Sequence, residues 1–397
     1  MTTKLVLHIG GFKSGSTAIQ STLASHAYSS PGRRILYPGL SPQEGEEKTR
    51  GQHGPLAETL FPNKPDHAAQ AERFARVAGH IDSAGADIAV ISAEKFEFAD
   101  PRLLAAAIGT HLPQLSDNLQ ILLYIRPHAE RVLAEFAERV KHGFFQGSLE
   151  DLHAATRDLT GPRQRGFFYH PRLSLWRQVF GDRFTVRPMI RAQLEQADVV
   201  ADFFRQILGD DDFTLQPPPR SNSSPSLEDL CAVRAFHRAC GSATPGALQE
   251  KTGVRLIEAL NARPATDPPT RLALHRALAE EIAATYAEDA RALDRDFFAG
   301  DPMQAALAAA PGRAVDQPQV LDAAAHLAPD RLRLLDAWAE AVVPLINGRS
   351  QGQSQDQSQD GPPAPPKRKP RKGAAKGAKA GRGRRAGRGN RADHSGM

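Results

Sequence analysis

Short apolar runs alternate with longer amphipathic stretches through the first 215 or so residues of this chain. Several of the runs are apolar throughout, which is typical of strands that are covered on both faces. The runs predict strands at residues 4–9, 34–37, 86–92, 119–125 and 184–187. The stretches predict helices at residues 18–26, 67–84, 102–111, 129–141, 171–179 and 194–208. This alternation predicts an α/β fold in which helices flank a central parallel sheet.

The chain beyond this region has a different pattern. The segment QPPPRSNSSPS, residues 216–226, has the composition of a loop. Apolar residues at helical spacing follow, and they predict helices at residues 227–239, 254–262, 269–298 and 331–346. From about residue 349 the composition becomes too polar and too rich in Gly and Pro to bury a core. We therefore expect a domain at 1–300, a helical extension at 301–348 and a disordered basic tail at 349–397.

The net charge of +5 is unevenly distributed. Twelve Lys/Arg and three Asp lie from Gln351 onward, which leaves 38 basic and 42 acidic residues in the rest of the chain. The part that folds is thus mildly acidic, and only the tail is basic. The runs KRKPRK and GRGRRAGRGNR suit contact with anionic polymers such as nucleic acid or polysaccharide. They equally suit a solubilising appendage.

Apolar residues make up 41% of the chain, which is enough for a sizeable core. The longest apolar runs are near six residues and are too short to span a membrane. The N-terminus, MTTKLVLHIGG, has too little apolar length for a signal peptide, so we expect a cytoplasmic protein. Cys231 and Cys240 lack the spacing of metal ligands, and we interpret them as small core residues in a reducing compartment.

The stretch HIGGFKSGST, residues 8–17, joins the first predicted strand to the first predicted helix. A strand, a glycine loop and a helix in this order form a phosphate cradle. A nucleoside-triphosphate loop reads G-x-x-x-x-G-K-[ST]. Gly10 and Gly15 have that spacing, and Thr17 occupies the hydroxyl position. The lysine is not at its usual position after the second glycine, because residue 16 is serine and Lys13 precedes that glycine by two residues.

The displaced lysine fits a ligand without a γ-phosphate. If the group that is transferred is a sulfuryl group, negative charge develops on the oxygen that bridges sulfur and phosphorus. A cation should then reach that bridging oxygen, while hydroxyls and backbone N–H groups hold the 5′-phosphate. Lys13, followed by Ser14, Gly15, Ser16 and Thr17 at a helix N-terminus, supplies these groups without a metal. The alternative is a Ser/Gly-rich turn that binds nothing.

Residues 13–17 match, at every position, the core K-[ST]-G-[ST]-[ST] that carries the 5′-phosphosulfate in PAPS-dependent sulfotransferases. The stretch resembles the bacterial branch of that superfamily through the H-x-G before it and Ala18-Ile19-Gln20 after it. The resemblance implies a P-loop-type α/β fold and 3′-phosphoadenylyl sulfate (PAPS) as the co-substrate. It also implies that residues 13–17 bind that co-substrate and that Lys13 is catalytic.

A second stretch, QILLYIRPHAERVLAEFAERVK at residues 120–141, is similar to the 3′-phosphate motif of the same superfamily. An apolar strand ends at an arginine, and a helix follows. Arg126 matches the arginine that pairs with the 3′-phosphate. Eight residues later, where the family usually has serine, this chain has Ala134. The alternative for Arg126 is an ion pair with a helix carboxylate such as Glu130.

Weaker similarities to bacterial members occur in the right order along the chain. They are ILYPG at 35–39, VISAEKF at 90–96, YHPRLSLWRQVFG at 169–181, RSNSS at 220–224 and AEEIAATYAEDARALDRDFF at 279–298. The resemblance thus covers about residues 4–300. Within the fourth stretch, Asn222 is either a nucleotide contact or part of a linker.

Sulfuryl transfer needs a general base for the proton of the acceptor. Glu94 follows the strand run that ends at Ser92, and some family members have a glutamate base in a comparable position. The alternative for Glu94 is a salt bridge with a cation such as Arg126. His53, in GQHGPLAETL, is flanked by glycines and is either an exposed base or an ordinary exposed loop histidine. We interpret His8 as a structural residue that orients the loop.

We therefore expect an enzyme that moves a sulfuryl group from PAPS to a hydroxyl or amine acceptor. By resemblance, the acceptor class is a carbohydrate or glycan. The rival hypothesis is a P-loop-fold protein that binds nucleotide or nucleic acid and lacks transferase activity, and it is motivated by Ala134 and the basic tail. A P-loop kinase is disfavoured by the position of Lys13.

Overall fold

The computed structural model describes residues 3–11, 13–39, 53–61, 66–157, 167–216, 224–241, 246–263 and 268–356. By internal contacts the chain divides into two units, Met1–Ser350 and Gln351–Met397. Most of the predicted basic tail lies outside the described residues. Asn222 lies outside them too.

Five parallel strands form the central sheet. Their bounds in chain order are β1 Lys4–His8, β3 Ile35–Leu36, β4 Ile88–Ser92, β5 Leu119–Ile125 and β6 Phe184–Pro188. Their order across the sheet is β3-β4-β1-β5-β6. All five predicted strands are present, and the predicted α/β fold class is confirmed. A separate antiparallel pair, β2 Tyr28–Ser29 with β7 Thr214–Leu215, was not predicted.

Helices connect the strands and cover the sheet. In the first part of the chain they are α1 Ser16–Ala24, α2 Gly54–Glu58, α3 His67–Ala84, α4 Pro101–His111, α5 His128–His142, α6 Leu149–Thr156, α7 Tyr169–Phe180 and α8 Val199–Leu208. The C-terminal helices are α9 Leu227–Ala239, α10 Ala247–Asn261, α11 Arg276–Phe297, α12 Pro302–Ala308, α13 Ala323–His326 and α14 Pro329–Asp356. The predicted C-terminal helical region is therefore present.

The sheet is buried on both faces because successive side chains of each strand point to opposite sides. In β1, Leu5 and Leu7 belong to a core formed with α2, α3, α4, α5, α7 and α11. Val6 belongs to a second core formed with α1 and α8. Met303 and Leu307 of α12 pack into the first core, so the expected boundary at residue 300 falls within a continuous apolar cluster.

Two predicted helices begin later than expected. The helix expected at 194–208 begins at Val199 because Asp198 caps it and accepts hydrogen bonds from the N–H groups of Val200 and Ala201. The helix expected from residue 269 begins at Arg276, one residue after the capping residue His275. The helix expected at 254–262 instead begins earlier, at Ala247. The apolar pattern located these helices correctly, but it did not show where their caps lie.

The strand order brings three strand ends together. β1 is central, with β4 on one side and β5 on the other. The chain places β3 and β4 on one side of β1 before it crosses to the other side to form β5, so the order reverses at the carboxyl end of β1. Parallel α/β sheets bind ligands at such a switch point. The loop from β1 to α1, the residues after β4 and the residues after β5 all lie at this end.

The β1–α1 loop requires its glycines. Gly15 has φ 86°, and a Cβ there would lie 2.6 Å from Cγ1 of Val199. A Cβ on Gly11 would collide with the carbonyl oxygen of Tyr124 in β5, and one on Gly10 would lie 2.5 Å from the hydroxyl oxygen of Ser16. The loop therefore packs tightly against β5 and the first turn of α1.

We predict that Gly15→Ala destabilises the protein more than Gly209→Ala does. Gly209 also has a positive φ, 81°, but a Cβ there meets no atom within 4 Å. The control should lose about 1 kcal/mol from backbone strain alone, and Gly15→Ala should lose about 1–3 kcal/mol more from the collision with Val199. Urea unfolding of both variants measures the difference. Equal losses would contradict the tight packing of the loop.

Candidate functional site

The β1–α1 loop presents the N-terminus of α1 without a side-chain cap from the described residues. Ser14 is committed to the loop itself, because its hydroxyl donates to the carbonyl oxygen of Gly11 at 2.6 Å. Ser16 is the first residue of α1 and is buried, whereas Thr17 is exposed. An uncapped helix N-terminus offers backbone N–H groups and a positive partial charge to an anion.

Lys13 lies in this loop with a left-handed backbone, φ 60°. Its Nζ forms an ion pair with Oε2 of Glu138 in α5 at 2.5 Å. Its carbonyl oxygen accepts a hydrogen bond from Nε of Arg126 at 2.8 Å. The lysine is therefore held through its backbone by the residue after β5 and through its side chain by α5. It lies at the predicted cradle.

Arg126 directly follows β5, as the sequence predicted. Besides its bond to Lys13, its carbonyl oxygen accepts a hydrogen bond from the hydroxyl of Tyr169 at 3.0 Å. Burial lowers the pKa of the guanidinium, against the nearby charge of Glu130. Glu130 itself lies 3.6 Å from Arg313, and its charge also acts on Arg126, so the alternative interpretation of Arg126 as the partner of a helix carboxylate stays open. Arg126 thus lies beside the loop.

Glu94 opens a short 3₁₀ helix, Glu94–Phe98, two residues beyond the end of β4. The N–H of Ala93 donates to the carbonyl oxygen of His8 at 3.1 Å, which fixes this chain segment to the end of β1. Burial raises the pKa of Glu94, and the like charges of Glu97 and Glu138 add to the shift. The Lys13 ammonium and the nearby Ser16 hydroxyl oppose it. A carboxylate with a raised pKa beside the cradle has the properties of a general base.

His53 is buried, 1% exposed, so the expectation of an exposed loop ring is wrong. Its Nε2 lies 2.7 Å from the carbonyl oxygen of Pro38, to which it donates, and its Nδ1 accepts from the N–H of Ser92 at 3.1 Å. Burial lowers its pKa to about 4, although the nearby carbonyl oxygens of Pro38 and Ser92 oppose the shift. Because both ring nitrogens are occupied, His53 ties the end of β4 to the segment after β3. Its catalytic role stays a prediction.

Ser92 is the centre of a buried polar group below the cradle. Its hydroxyl lies 2.8 Å from Nδ1 of His8 and accepts a hydrogen bond from the side-chain amide of Gln20 at 3.0 Å. Burial lowers the pKa of His8 to about 3, so the ring is neutral. These bonds connect β1, β4 and α1 and agree with a structural role for His8. No sequence pattern indicated a role for Gln20, which is an ordinary polar residue in a helical stretch.

Three residues of α5 that sequence reasoning did not select complete the site. Both oxygens of Glu138 are engaged: Oε2 by Lys13 and by Lys141 at 2.6 Å, and Oε1 by Nε2 of His142 at 3.0 Å. Burial raises the pKa of Glu138, but His142 and the two lysines outweigh it and hold the pKa well below its usual range. The sequence signal that could have found this group is the helical spacing i, i+3 and i+4 of Glu138, Lys141 and His142, which places the three side chains on one face of α5.

The described residues contain no group of three or more His, Cys, Asp or Glu side chains that could hold a metal ion. None of the helices among them is both long enough and apolar enough to cross a membrane.

Comparisons with known proteins give a limited result. No protein-family model matches the sequence, and no curated protein matches it. A crystal structure of a sulfotransferase from Alicyclobacillus acidocaldarius is similar over 67% of this chain and 98% of that chain, with 16% sequence identity and a TM-score of 0.38. A likeness at this level carries no functional argument, so function has to be argued from the geometry of the site.

Proposed function

We propose that this protein is a PAPS-dependent sulfotransferase that acts on a hydroxyl or amine acceptor. The observation that supports this best is the meeting of four features at one end of the sheet. They are Lys13, Arg126, Glu94 and the N-terminus of α1, which has no side-chain cap within the described part of the chain. An anion cradle, a cation, an arginine and a carboxylate of raised pKa are the groups that sulfuryl transfer requires.

The residues present fit the proposed co-substrate. The three loop glycines let the loop backbone pack against β5, α8 and the start of α1, and this packing fixes the N–H groups at the N-terminus of α1 that an anionic group would meet. Residues 15–17 would hold the 5′-phosphosulfate, with Lys13 at the bridging oxygen, and Ser14 would join them only by giving up its hydrogen bond to Gly11. Arg126 would pair with the 3′-phosphate. Ala134 stands where the family usually has serine, and it has no hydroxyl to bind the 3′-phosphate. Arg126 would therefore contribute a larger share of the affinity for the 3′-phosphate than the corresponding arginine does in members with that serine.

PAPS would supply a sulfuryl group whose bond to a phosphate oxygen is readily broken. The acceptor oxygen or nitrogen forms the new bond to sulfur while the old S–O bond breaks. Glu94 accepts the proton of the acceptor, and the Lys13 ammonium stabilises the negative charge on the departing phosphate oxygen. To do so, Lys13 has to exchange its contact with Glu138 for one with the ligand.

A carbohydrate acceptor is proposed on the strength of an exposed aromatic ring near the site. Phe144, just beyond α5, is 56% exposed, and its ring stacks on that of His142 at 5.7 Å between centroids. His142 in turn contacts Glu138, the partner of Lys13. An exposed aromatic face beside polar groups suits the C–H face of a sugar ring. The basic tail could add attraction to an anionic glycan.

The first prediction from this proposal concerns ligand choice. PAP is 3′-phosphoadenosine 5′-phosphate, the product that PAPS leaves after transfer. In a calorimetric titration, the affinity of the protein for PAP should exceed its affinity for ADP by at least about tenfold. The reason is that Arg126 offers one charge-assisted contact to the 3′-phosphate, which ADP lacks. Equal affinity, or binding only to nucleic acid, would favour the rival hypothesis of a binding protein without transferase activity. Tight binding of ATP with magnesium would favour a kinase.

The second prediction concerns Lys13. In a screen of glycan acceptors with labelled PAPS, Lys13→Ala should lower turnover at least about 100-fold, because a preorganised charge-stabilising group is lost. Lys251→Ala is the matched control. It also removes an ammonium, but from an exposed position on α10, and should retain full turnover. Unchanged turnover in Lys13→Ala would refute the role of this lysine.

The third prediction identifies the base. Burial raises the pKa of Glu94, and only its ionised form accepts a proton. The value of kcat/KM should therefore fall as the pH drops through a pKa above the ordinary glutamate value of about 4.3. Glu94→Gln should lower kcat at least about 100-fold and remove this acid limb. His53→Asn should lower stability and leave the limb in place. Loss of the limb in His53→Asn alone would make His53 the base.

A further inference from the structure

One carboxylate oxygen in the site is shared by two ammonium groups. Oε2 of Glu138 lies 2.5 Å from Nζ of Lys13 and 2.6 Å from Nζ of Lys141. The two nitrogen atoms are therefore at most about 5 Å apart. Like charges at this distance repel unless an anion lies between them, and here the anion is the carboxylate of Glu138.

The two lysines come from different elements and are partly buried, unlike the partners of an ordinary surface ion pair. Lys13 comes from the loop that forms the cradle, and Lys141 comes from the last turn of α5. The side chains of Lys13, Lys141 and Glu138 are 35%, 18% and 27% exposed to solvent. Burial and the charge of Lys13 lower the pKa of Lys141, against the opposing carboxylate. The pair is partly desolvated, yet a ligand can reach it.

We propose that Lys13 and Lys141 form a two-ammonium subsite for the sulfuryl group of the donor, and that Glu138 occupies this subsite until the donor binds. This inference rests on the proposed function. It adds Lys141 to the residues that contact the ligand, and it makes Glu138 an internal competitor of the ligand. When the donor binds, a sulfuryl oxygen replaces Oε2 between the two ammonium groups, and Lys13 also contacts the adjacent oxygen that bridges sulfur and phosphorus.

Glu138 has a partner that allows this exchange. Its other oxygen, Oε1, is bound by Nε2 of His142, which is on the same helix, and Nδ1 of His142 lies 2.7 Å from Oε1 of Glu250 in α10. The contact with His142 does not involve either lysine. The carboxylate can therefore release the lysines through Oε2 and keep its hydrogen bond to His142 through Oε1, which avoids a charge without a partner.

The experiment compares two ligands that differ only in the sulfuryl group. PAPS and PAP are titrated by calorimetry against wild type, Lys141→Met, Glu138→Gln and the control Lys251→Met, with the integrity of PAPS checked by chromatography. Lys141→Met should weaken PAPS about tenfold and PAP less than about threefold, because one charge-assisted contact to the sulfuryl group is lost. Glu138→Gln should bind PAPS about tenfold more tightly, because no carboxylate has to be displaced. Lys251→Met should match wild type.

Folding of each variant is checked by thermal unfolding without ligand, and Lys141→Arg should restore PAPS affinity to within about threefold because it keeps the cation. The inference is overturned if Lys141→Met leaves PAPS affinity unchanged or weakens both ligands equally. It is also overturned if Glu138→Gln does not bind PAPS more tightly.

The experiment also distinguishes failure of the proposed function from failure of the two-ammonium subsite. If wild type binds neither PAP nor PAPS, the function is wrong, and inorganic sulfate then tests the subsite. Sulfate at constant ionic strength should raise the melting temperature of Glu138→Gln more than that of wild type, and that of Lys141→Met least. Equal shifts in all three proteins would overturn the subsite as well.

Discussion

The close approach of the β1–α1 loop to the end of β5 is the constraint on which the site depends. Gly11 allows the loop to lie against the carbonyl of Tyr124, and Arg126 donates to the carbonyl of Lys13. These two contacts thus determine where the lysine, the arginine and the start of α1 lie relative to one another. A side chain at Gly11 would separate the loop from β5 and would move the cation away from the helix N-terminus.

A buried polar layer fixes the other side of the site. Ser92, at the end of β4, is bound through its hydroxyl by His8 and Gln20 and through its backbone by His53. Burial keeps both histidine rings neutral near neutral pH, since their pKa values fall to about 3 and about 4. A layer without charge can lie beneath an anion cradle without competing for the ligand. It also holds the segment that carries Glu94.

The sequence was sufficient for the sheet and for the location of three candidate site residues at one edge of it. Lys13, Arg126 and Glu94 each follow a parallel strand, and the carboxyl ends of such strands meet at one edge. The environment of His53 could not be predicted, because its partners are backbone groups of Pro38 and Ser92, which carry no side-chain signal. Helix starts were missed where local capping overrode the apolar pattern, and the two-residue strands β2 and β7 are too short to show a period.

The two carboxylates near Lys13 have opposite pKa shifts for different physical reasons. Glu94 is partly buried, with one opposing ammonium and two like charges nearby, and this partial burial is the main reason that its affinity for a proton rises. Glu138 has two lysines and His142 as direct partners, so its affinity for a proton falls. A group that must accept a proton is better served by the first environment, and a group that must stay charged to bind cations is better served by the second. The proposed assignment of base and counter-ion therefore follows from burial and from the number of cations around each carboxylate. It does not depend on distance from the cradle, since both carboxylates lie within the influence of the same lysine.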